Sequence, residues 1–575
     1  MALRQTPLTL LARALHNTPV AASDAVRRWR SDPARLRLLL EARLPQPLRR
    51  VSRPRVDSAG PGAAPEDASS IRRRVEELAA REQTVAAGAQ LLRLTPDDPY
   101  LALLQARVLR AAGSLTEARD RAHDAARAKG RPARAARHLR DTLSNELELL
   151  TPGPLPTTGA PSYTSVVGTP GRILHVVTNS LPLTRAGYTI RTQELVAAQR
   201  ALGLDAQVVT RLGYPVTVGH LTAGAFDRVG TVPYHRLLPL TPLPAHPVAA
   251  LRAHATALEG FVRSTRPALL HAATNHLNGR VAHEVARRTG LAFAYEVRGF
   301  LEDSWLARHG DQPGAPATDN YLRTREVETW VMHQADLVTT LGDAMRVEII
   351  DRGVNPDRVV VVPNGVDSRF LDSDDDGSVV RARLGIRPDE FTVGLISTFF
   401  DHEGIPTLIE AVSLLARDGL PMRLLLVGDG PQRESLERQI ASSGVASTAL
   451  LPGWVPFDEI PSWYAALDVF CVPRIRSRVT ELVSPLKPIE AMAMRRPLLA
   501  SDVGGLREVI EPSGGGLLVA PDDPEAWANA LREAHSDEGA RRRWGDSGHA
   551  WVARHRTWTA VAEIDRAAYE RLGAT

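Results

Sequence analysis

Short apolar, β-branched runs alternate with helical stretches from residue 172 to residue 521. The first six are RILHVVT, AQVVT, ALLHAAT, AFAYEVRG, LVTTL and RVVVVPNGV, and six more follow residue 391: FTVGLIST, RLLLVGDG, TALLPGWV, DVFCVPR, PLLASDV and GGLLVAP. Strands that alternate with helices are typical of parallel sheets with right-handed crossovers. Because twelve strands exceed the usual size of one open sheet, the pattern predicts two doubly wound α/β domains.

The acidic, turn-rich segment LDSDDDGSVV separates the two sets of strands. We therefore place one Rossmann-like domain at 172–375 and a second at 385–555. The closing segment 556–575 is expected to form a helix that crosses back and ties the domains together. Two such domains leave a cleft at the carboxyl ends of their strands, which is where open α/β sheets bind ligands.

Residues 1–150 are rich in Ala, Leu, Arg and Glu, with helical periodicity and almost no strand signal. Residues 51–70 read as a loop, and 151–171, dense in Pro, Gly, Thr and Ser, as a linker. Pro96 and Pro99 are expected to start a helix that Gly113 ends, in a hairpin resembling a tetratricopeptide repeat. A plain helical bundle is the alternative. The first 20 residues predict an amphipathic helix, packed on the protein or lying on a membrane surface.

The composition limits the classes of protein. The formal charge is only +4 over 575 residues and the arginines are spread widely, which does not indicate a nucleic-acid partner. The single cysteine, Cys471, excludes a disulfide framework and fits a reducing compartment. No run of about 20 apolar residues suggests a membrane span. We expect a cytoplasmic protein, with peripheral contact at the inner face of the membrane as an option.

Four motifs, in order, resemble the retaining GT-B glycosyltransferases of family 4. They are ADLVTTL, VVVVPNGVDSRF, LLLVGDGPQRESLERQI and PIEAMAMRRPLLASDVGGLREVI. The resemblance covers roughly 172–555. It implies a GT-B fold, preceded here by the all-helical extension, with a nucleotide-sugar donor held mostly by the C-terminal domain and the acceptor mostly by the N-terminal domain. It also implies retention of configuration, no required metal or other cofactor, and a UDP- or GDP-sugar as donor.

Two glutamates carry the donor part of the resemblance. Glu490 occupies the position that binds the ribose hydroxyls in the family, and a carboxylate is suited to accept two hydroxyl hydrogen bonds. The family's first glutamate lies eight positions earlier, where this chain has Leu482. We expect Glu481 to take that role and contact the donor sugar. The alternatives are a helix-terminal charge for Glu490 and a solvated loop residue for Glu481.

The family's Arg and Lys that clamp the donor diphosphate are replaced here by Thr398 and Glu403. The leaving diphosphate still accumulates negative charge, so other cations are needed. Lys487 is one of only two lysines in the chain and lies three residues before Glu490. We expect Lys487, with Arg474 or Arg478, to replace the clamp, although each can also be a surface residue. The loop resembles a subset of the family that reads TELV-PLKP-E, and within it Ser484 and Leu486 are further donor-binding candidates.

The remaining candidates lie elsewhere along the cleft. The family pattern places backbone groups of Val455 beside the base. Trp454 can stack on the base, although a large aromatic residue after a strand is more often in the core. Gly187 is expected to face the donor phosphates, and Arg298 falls where many relatives carry a histidine near the anomeric centre. Acceptor-side candidates end strands or open helices: Tyr188, Arg191, His271, Asn275 and Glu296. For His271 a satisfied buried histidine is the commoner alternative.

These observations predict a hexosyltransferase-type glycosyltransferase that acts on a glycan or lipid-linked acceptor in cell-surface polysaccharide or glycoconjugate synthesis. The donor sugar, the base, the acceptor and the oligomeric state are not readable from the residues. Another GT-B enzyme is a rival, although no pyridoxal-type lysine setting surrounds Lys487. The second rival is a non-catalytic scaffold with a degenerate transferase domain, in which residues 1–150 bind a protein partner.

Overall fold

The computed structural model describes residues 7–31, 67–80, 83–95, 98, 100–127, 129–156, 163–309 and 314–575. Outside the described residues lie 51–66 of the predicted loop at 51–70, Pro96, Pro99 and 157–162, the middle of the predicted linker. Residues 68–70 of the predicted loop are helical instead. Within the described part, residues before 150 form helices only: α1 Pro7–Ser31, α2 Ala68–Ala80, α3 Thr84–Leu91, α4 Leu101–Ala111, α5 Leu115–Ala125 and α6 Arg131–Leu149.

The described part of the N-terminal region contains two separate packing units. Helix α1 lies on the first α/β domain, where Asn17 Nδ2 donates to Leu221 O at 2.6 Å and to Ala223 O at 3.0 Å. Helices α2–α6, which we call the helical extension, form their own cores around Leu104 and Leu143. Gly113, with φ +88°, ends α4 and lets the chain turn into α5.

The first domain, which we call the acceptor domain, is built on an eight-stranded sheet in the order β3-β4-β2-β1-β5-β6-β7-β8. Its strands are β1 Thr169–Val177, β2 Asp205–Thr210, β3 Phe226–Val229, β4 Val232–Arg236, β5 Pro267–Ala273, β6 Ala292–Val297, β7 Leu337–Thr340 and β8 Val359–Val361. Its helices are α7 Gly187–Ala201, α8 Pro247–Thr265, α9 His276–Thr289, α10 Leu301–His309, α11 Asp319–Gln334, α12 Asp343–Asp351 and α13 Ser368–Leu371.

The pairings in this sheet are parallel except between β3 and β4. That antiparallel hairpin, turning at Gly230, was not among the predicted strands. Its two strands are only four and five residues long, and neither is a continuous apolar run.

The second domain, which we call the donor domain, has a parallel six-stranded sheet in the order β11-β10-β9-β12-β13-β14. Its strands are β9 Thr392–Thr398, β10 Arg423–Asp429, β11 Ala449–Gly453, β12 Val469–Val472, β13 Leu498–Ser501 and β14 Gly516–Val519. Its helices are α14 Ser378–Leu384, α15 Ile405–Arg417, α16 Arg433–Ser442, α17 Ile460–Ala465, α18 Arg478–Leu482, α19 Lys487–Ala493, α20 Gly504–Ser513, α21 Pro524–Ser536 and α22 Glu538–His555. The two sheets confirm the predicted pair of doubly wound domains.

The last helix, α23 Trp558–Arg571, leaves the donor domain and packs into the acceptor domain. Buried polar groups fix it there. Gln199 on α7 donates from Nε2 to Asp565 Oδ2 at 2.9 Å, and Tyr569 Oη lies 2.6 Å from His271 Nδ1 on β5. The same Gln199 holds His175 on β1 through a 2.7 Å contact. Burial raises the pKa of Asp565 to about 6. Helix α23 is therefore part of the interior of the acceptor domain.

Candidate functional site

The two domains meet along the loops at the carboxyl ends of their strands. Asn364 Nδ2, from the acceptor domain, donates to the Ser484 carbonyl oxygen of the donor domain at 3.0 Å. A Cβ on Gly187 would lie 3.8 Å from Leu486, so this glycine brings the start of α7 against the donor-domain loop. Residues 483–487 therefore form one wall of the interdomain cleft.

A cluster of opposite charges stands at this wall. Lys487 Nζ donates to Ser397 Oγ at 2.6 Å and lies 3.9 Å from Glu403 Oε1. Arg474 donates from one terminal nitrogen to the same Glu403 oxygen at 3.3 Å and from the other to Val483 O at 3.3 Å. Ser397 is the penultimate residue of β9 and Arg474 follows β12, and these two strands are paired in the sheet. The sheet topology thus brings together residues that are far apart in the sequence.

Glu403 organises the two cations. Burial disfavours its charged form, but Lys487 and Arg474 outweigh burial and lower the pKa of Glu403 to about 2. Burial lowers the pKa of Lys487 from its ordinary value, while the charge of Glu403 opposes that shift. The side chain of Lys487 is nevertheless one-third exposed (33%), so it is not sealed from solvent. One carboxylate between two cations leaves the cluster with one net positive charge.

Glu490 lies one turn beyond Lys487 on α19. Tyr464, which is fully buried, donates its hydroxyl hydrogen to Glu490 Oε2 at 2.8 Å. Burial raises the pKa of Glu490, and Tyr464, Lys487 and Arg369 act against that shift. The second carboxylate oxygen, Oε1, is not engaged by any hydrogen bond found among the described residues. Glu490 is therefore fixed in orientation and retains acceptor capacity.

Two predicted donor-site residues have other partners. Arg478 donates from Nε to Asp303 Oδ1 at 2.9 Å and lies 3.2 Å from Glu348 Oε2, both in the acceptor domain. Glu481 accepts from the Gly504 amide at 2.7 Å and from Arg476 at 2.9 Å, which caps the start of α20. In the structure, Arg478 thus joins the domains and Glu481 ties two donor-domain elements together.

Arg298 lies beside the cleft, immediately after β6. One terminal nitrogen donates to Tyr188 O at 2.8 Å and to Thr192 Oγ1 at 2.9 Å, and the other donates to Glu296 Oε2 at 2.6 Å. A Cβ placed on the neighbouring Gly299 would lie 3.8 Å from the Val483 side chain of the donor domain. Arg298 is thus held in one orientation where the domains meet.

Arg191 and Glu296, predicted as acceptor-side residues, are fully buried instead. Arg191 donates from Nε to Glu296 Oε1 at 2.8 Å and from its terminal nitrogens to the carbonyl oxygens of Val362 and Pro363, each at 2.7 Å. Burial opposes ionisation of Glu296, but the charges of Arg298 and Arg191 hold its pKa well below the usual range. The Arg191–Glu296 pair therefore holds Arg298 and the carbonyl groups of residues 362–363 in place.

The three remaining acceptor-side candidates differ in burial and in their partners. His271 is fully buried, with its Nδ1 2.6 Å from the Tyr569 hydroxyl and its Nε2 3.5 Å from Glu296 Oε2. Asn275 accepts from the Leu277 amide at 3.1 Å and is the N-cap of α9. Tyr188 remains exposed, and its hydroxyl accepts from Asn179 Nδ2 at 2.9 Å. Of these three, Tyr188 has the surface a ligand needs.

The region predicted to hold the base contains residues that the sequence did not reveal. Trp454 is 68% exposed and so lies outside the core, and Val455 is half-buried against the donor-domain core. Phe457 lies between two guanidinium groups, with Arg369 Cζ 3.8 Å and Arg185 Cζ 4.5 Å from its ring centroid. Arg185 belongs to the acceptor domain. No local pattern predicts such a stack, because its members come from three distant segments.

Comparison with known proteins identifies the family. The model of a glycosyl transferase 4-like domain matches residues 186–365, and the model of glycosyl transferases group 1 matches residues 390–537. The D-inositol 3-phosphate glycosyltransferase of Frankia alni is 30% identical over 370 residues, which cover 60% of this chain and 84% of that protein. The chain belongs to the group 1 glycosyltransferases.

Other relatives and structures agree with this family and its fold. The 2-deoxystreptamine glucosyltransferase of Streptomyces kanamyceticus is 28% identical over 261 residues, covering 43% of this chain and 63% of that relative. The sucrose-phosphate synthase of Thermosynechococcus elongatus superposes with a TM-score of 0.57 at 22% identity, covering 70% of this chain and 99% of that one. A glycosyltransferase from Rickettsia africae gives a TM-score of 0.55 at 14% identity, covering 70% and 99%. The fold is GT-B, and both family models begin after the helical extension.

Proposed function

We propose that the protein transfers a sugar, with retention, from a nucleotide-sugar donor held by the donor domain to an acceptor held by the acceptor domain. The observation that carries the proposal is the convergence of Lys487 and Arg474 on Glu403, one helical turn from Glu490. This arrangement places cations beside a carboxylate that still has an unused acceptor oxygen. A nucleoside diphosphate needs both, because it combines ribose hydroxyls with a polyanion.

Each group then has a chemical task. Glu490 accepts hydrogen bonds from the ribose hydroxyls, and Tyr464 fixes its orientation. Lys487 and Arg474 stabilise the diphosphate as it leaves, where the negative charge develops. Glu403 holds the two cations together before the donor binds, since two unpaired positive charges at this distance would repel each other. Arg298 contacts the donor sugar or the acceptor across the cleft. The donor phosphate assists deprotonation of the acceptor hydroxyl during front-face attack.

The test begins with ligand-induced thermal stabilisation. The purified protein is melted with UDP, GDP and ADP and with their sugars, alongside Glu490→Ala and Lys487→Ala. A ligand at about 100 times its dissociation constant adds roughly 2.7 kcal/mol to the free energy of unfolding. We expect one base to stabilise the wild type and both variants to lose the shift. Release of that diphosphate from its sugar, dependent on an added glycan or lipid-linked acceptor, then demonstrates transfer.

A non-catalytic scaffold is the second candidate function, because Glu403 cancels one of the two cations and Glu481 is committed to Arg476 and Gly504. In that case no nucleotide shifts the melting temperature, and no sugar is released with any acceptor. Capture of a specific protein by the full chain, unaffected by Glu490→Ala, would then favour the scaffold.

A membrane-bound acceptor is consistent with helix α1. Leu11 and Leu15 are exposed on this helix, and Asn17 anchors its other face to the acceptor domain. No helix among the described residues is long and apolar enough to cross a membrane. We propose peripheral contact through α1, tested by sedimentation with anionic vesicles. Replacing Leu11 and Leu15 by glutamine should abolish binding, whereas binding that survives the double substitution would refute this role.

A further inference from the structure

Helix α10 is in contact with three parts of the molecule. It begins three residues after Arg298, on the cleft side of the acceptor domain. Its first turn faces the donor domain through Asp303, and its last turn faces the helical extension through Trp305 and His309. A nine-residue helix therefore links an element outside both family models to the domain interface.

The extension docks on α10 and the neighbouring α11 by specific contacts. Asp319, the first residue of α11, accepts hydrogen bonds from the amides of Leu115 and Thr116, the latter at 2.7 Å, and so caps the start of α5. His309 Nε2 donates to Ala111 O at 3.0 Å. The backbone of Gly113 lies so close to Trp305 that an added Cβ would be 2.6 Å from the ring. These contacts are too close and too directional for a flexible tether.

The opposite face of α10 holds the donor domain. Asp303 is buried, and its Oδ1 accepts from Arg478 Nε at 2.9 Å and from the Tyr321 hydroxyl at 2.9 Å. Tyr321 comes from α11, the same helix that caps the extension. Arg478 opens α18, which leads through residues 483–486 to Lys487. The orientation of α10 and α11 therefore bears on the loop that carries the candidate phosphate-binding lysine.

We propose that Asp303 is a positioning residue, and that the helical extension is an intramolecular brace for it. Asp303 holds Arg478 and thereby fixes segment 475–487 in the orientation that presents Lys487 to the cleft. The extension fixes Asp303 in turn, because it clamps α10 and α11 at Trp305 and Asp319. The kinetic consequence rests on the proposed function, whereas the structural consequence does not.

Hydrogen–deuterium exchange of the ligand-free full chain tests the structural part. Asp303→Asn and Arg478→Gln remove the same ion pair. The first changes its buried carboxylate and the second its half-exposed guanidinium group. We expect either substitution to speed exchange of the amides in segment 475–487 about tenfold, the size of a lost charge-assisted hydrogen bond. Asp319→Asn, which weakens the hydrogen bonds from Leu115 and Thr116 that dock the extension, should speed the same amides about threefold. The matched control is Glu146→Gln, which removes the Glu146–Arg110 ion pair inside the extension and should leave segment 475–487 unchanged.

Steady-state kinetics with varied sugar donor test the consequence for catalysis. Asp303→Asn and Asp319→Asn should raise the donor KM severalfold with a smaller effect on kcat, and Glu146→Gln should change neither. If Asp303→Asn and Arg478→Gln leave the exchange of segment 475–487 at the wild-type rate, the positioning role is refuted. If Asp319→Asn speeds exchange at Leu115 and Thr116 but not in segment 475–487, the brace is refuted. A wild type that transfers no sugar refutes the proposed function and leaves the exchange result intact.

Discussion

Replacement of Lys487 by alanine should weaken binding of the cognate nucleoside diphosphate about 10- to 100-fold, and binding of the corresponding nucleoside very little. The magnitude follows from the charges at the site. A unit charge about 4 Å from a phosphate interacts with roughly 4 kcal/mol at an effective dielectric constant of 20. Lys487 already interacts with Glu403 at 3.9 Å, so only part of this energy is gained when the phosphate binds.

A hydrogen bond to a charged group contributes about 1.5–3 kcal/mol net, and each 1.4 kcal/mol corresponds to a factor of ten in affinity. Isothermal titration calorimetry with the diphosphate and with the nucleoside separates the two contributions. Lys129→Ala is the matched control, since Lys129 is the other lysine of the chain and lies exposed in the helical extension. Equal losses for diphosphate and nucleoside, or no loss for the diphosphate, would refute the assignment of Lys487 to the phosphates.

Three further predictions follow from contacts described above. Glu403→Gln should remove a stabilisation that is fully present above pH 4.5 and lost as the pH falls toward 2, because Lys487 and Arg474, acting against burial, lower the pKa of Glu403 from 4.5 to about 2. In urea unfolding, the roughly 3 kcal/mol gap between wild type and variant should narrow from about pH 5 to pH 3, and a constant gap would contradict the charge assignment. Tyr464→Phe should cost about 1.5–3 kcal/mol of stability and weaken nucleoside binding, since Glu490 loses its fixed partner; unchanged nucleoside affinity in calorimetry would count against Glu490 as the ribose acceptor. Gly113→Ala should lower the free energy of unfolding by about 1–3 kcal/mol, because φ is +88° and the new Cβ would meet Trp305. Limited proteolysis should then cut the extension faster than in the control Gly88→Ala, where the new Cβ has no neighbour within 4 Å.

The sequence predicted the sheets well because buried parallel strands are continuous apolar runs. All twelve predicted runs form strands, and helical character was predicted before residue 150 except for the loop at 51–70, of which residues 68–70 are helical. The hairpin of β3 and β4 was missed, since its strands are short and β3 is largely exposed and carries charged side chains such as Asp227 and Arg228. Its position is set by pairing with β2, which a local pattern does not reveal.

The candidate site was predictable where it lies on one contiguous segment. Lys487 and Glu490 are neighbours on α19, so their spacing alone placed them together. Arg474 and Arg478 could not be distinguished, because four residues separate them and both follow β12. What separates them is their partners: Glu403, 71 residues from Arg474, and Asp303, 175 residues from Arg478. Such long-range pairings are decided by tertiary packing.

Burial was the least predictable property. Arg191, His271 and Glu296 end strands or open helices as cleft residues do, yet they are buried. Arg191 and Glu296 are buried against each other, and His271 is buried against Tyr569, which comes 298 residues later. Trp454 shows the reverse, since a tryptophan after a strand usually enters the core but here the chain turns outward. A single sequence carries no signal for either outcome.

The burial of α23 also bears on how the chain acquires its structure during synthesis. The last strand of the acceptor domain ends at Val361, whereas Ala568 and Tyr569, which complete its interior, come about 200 residues later. At roughly 5–20 residues per second, a ribosome needs about 10–40 s to add them. Through that interval Gln199 and His271 lack Asp565 and Tyr569, their partners in the finished protein. The first α/β domain to leave the ribosome is therefore the last to close.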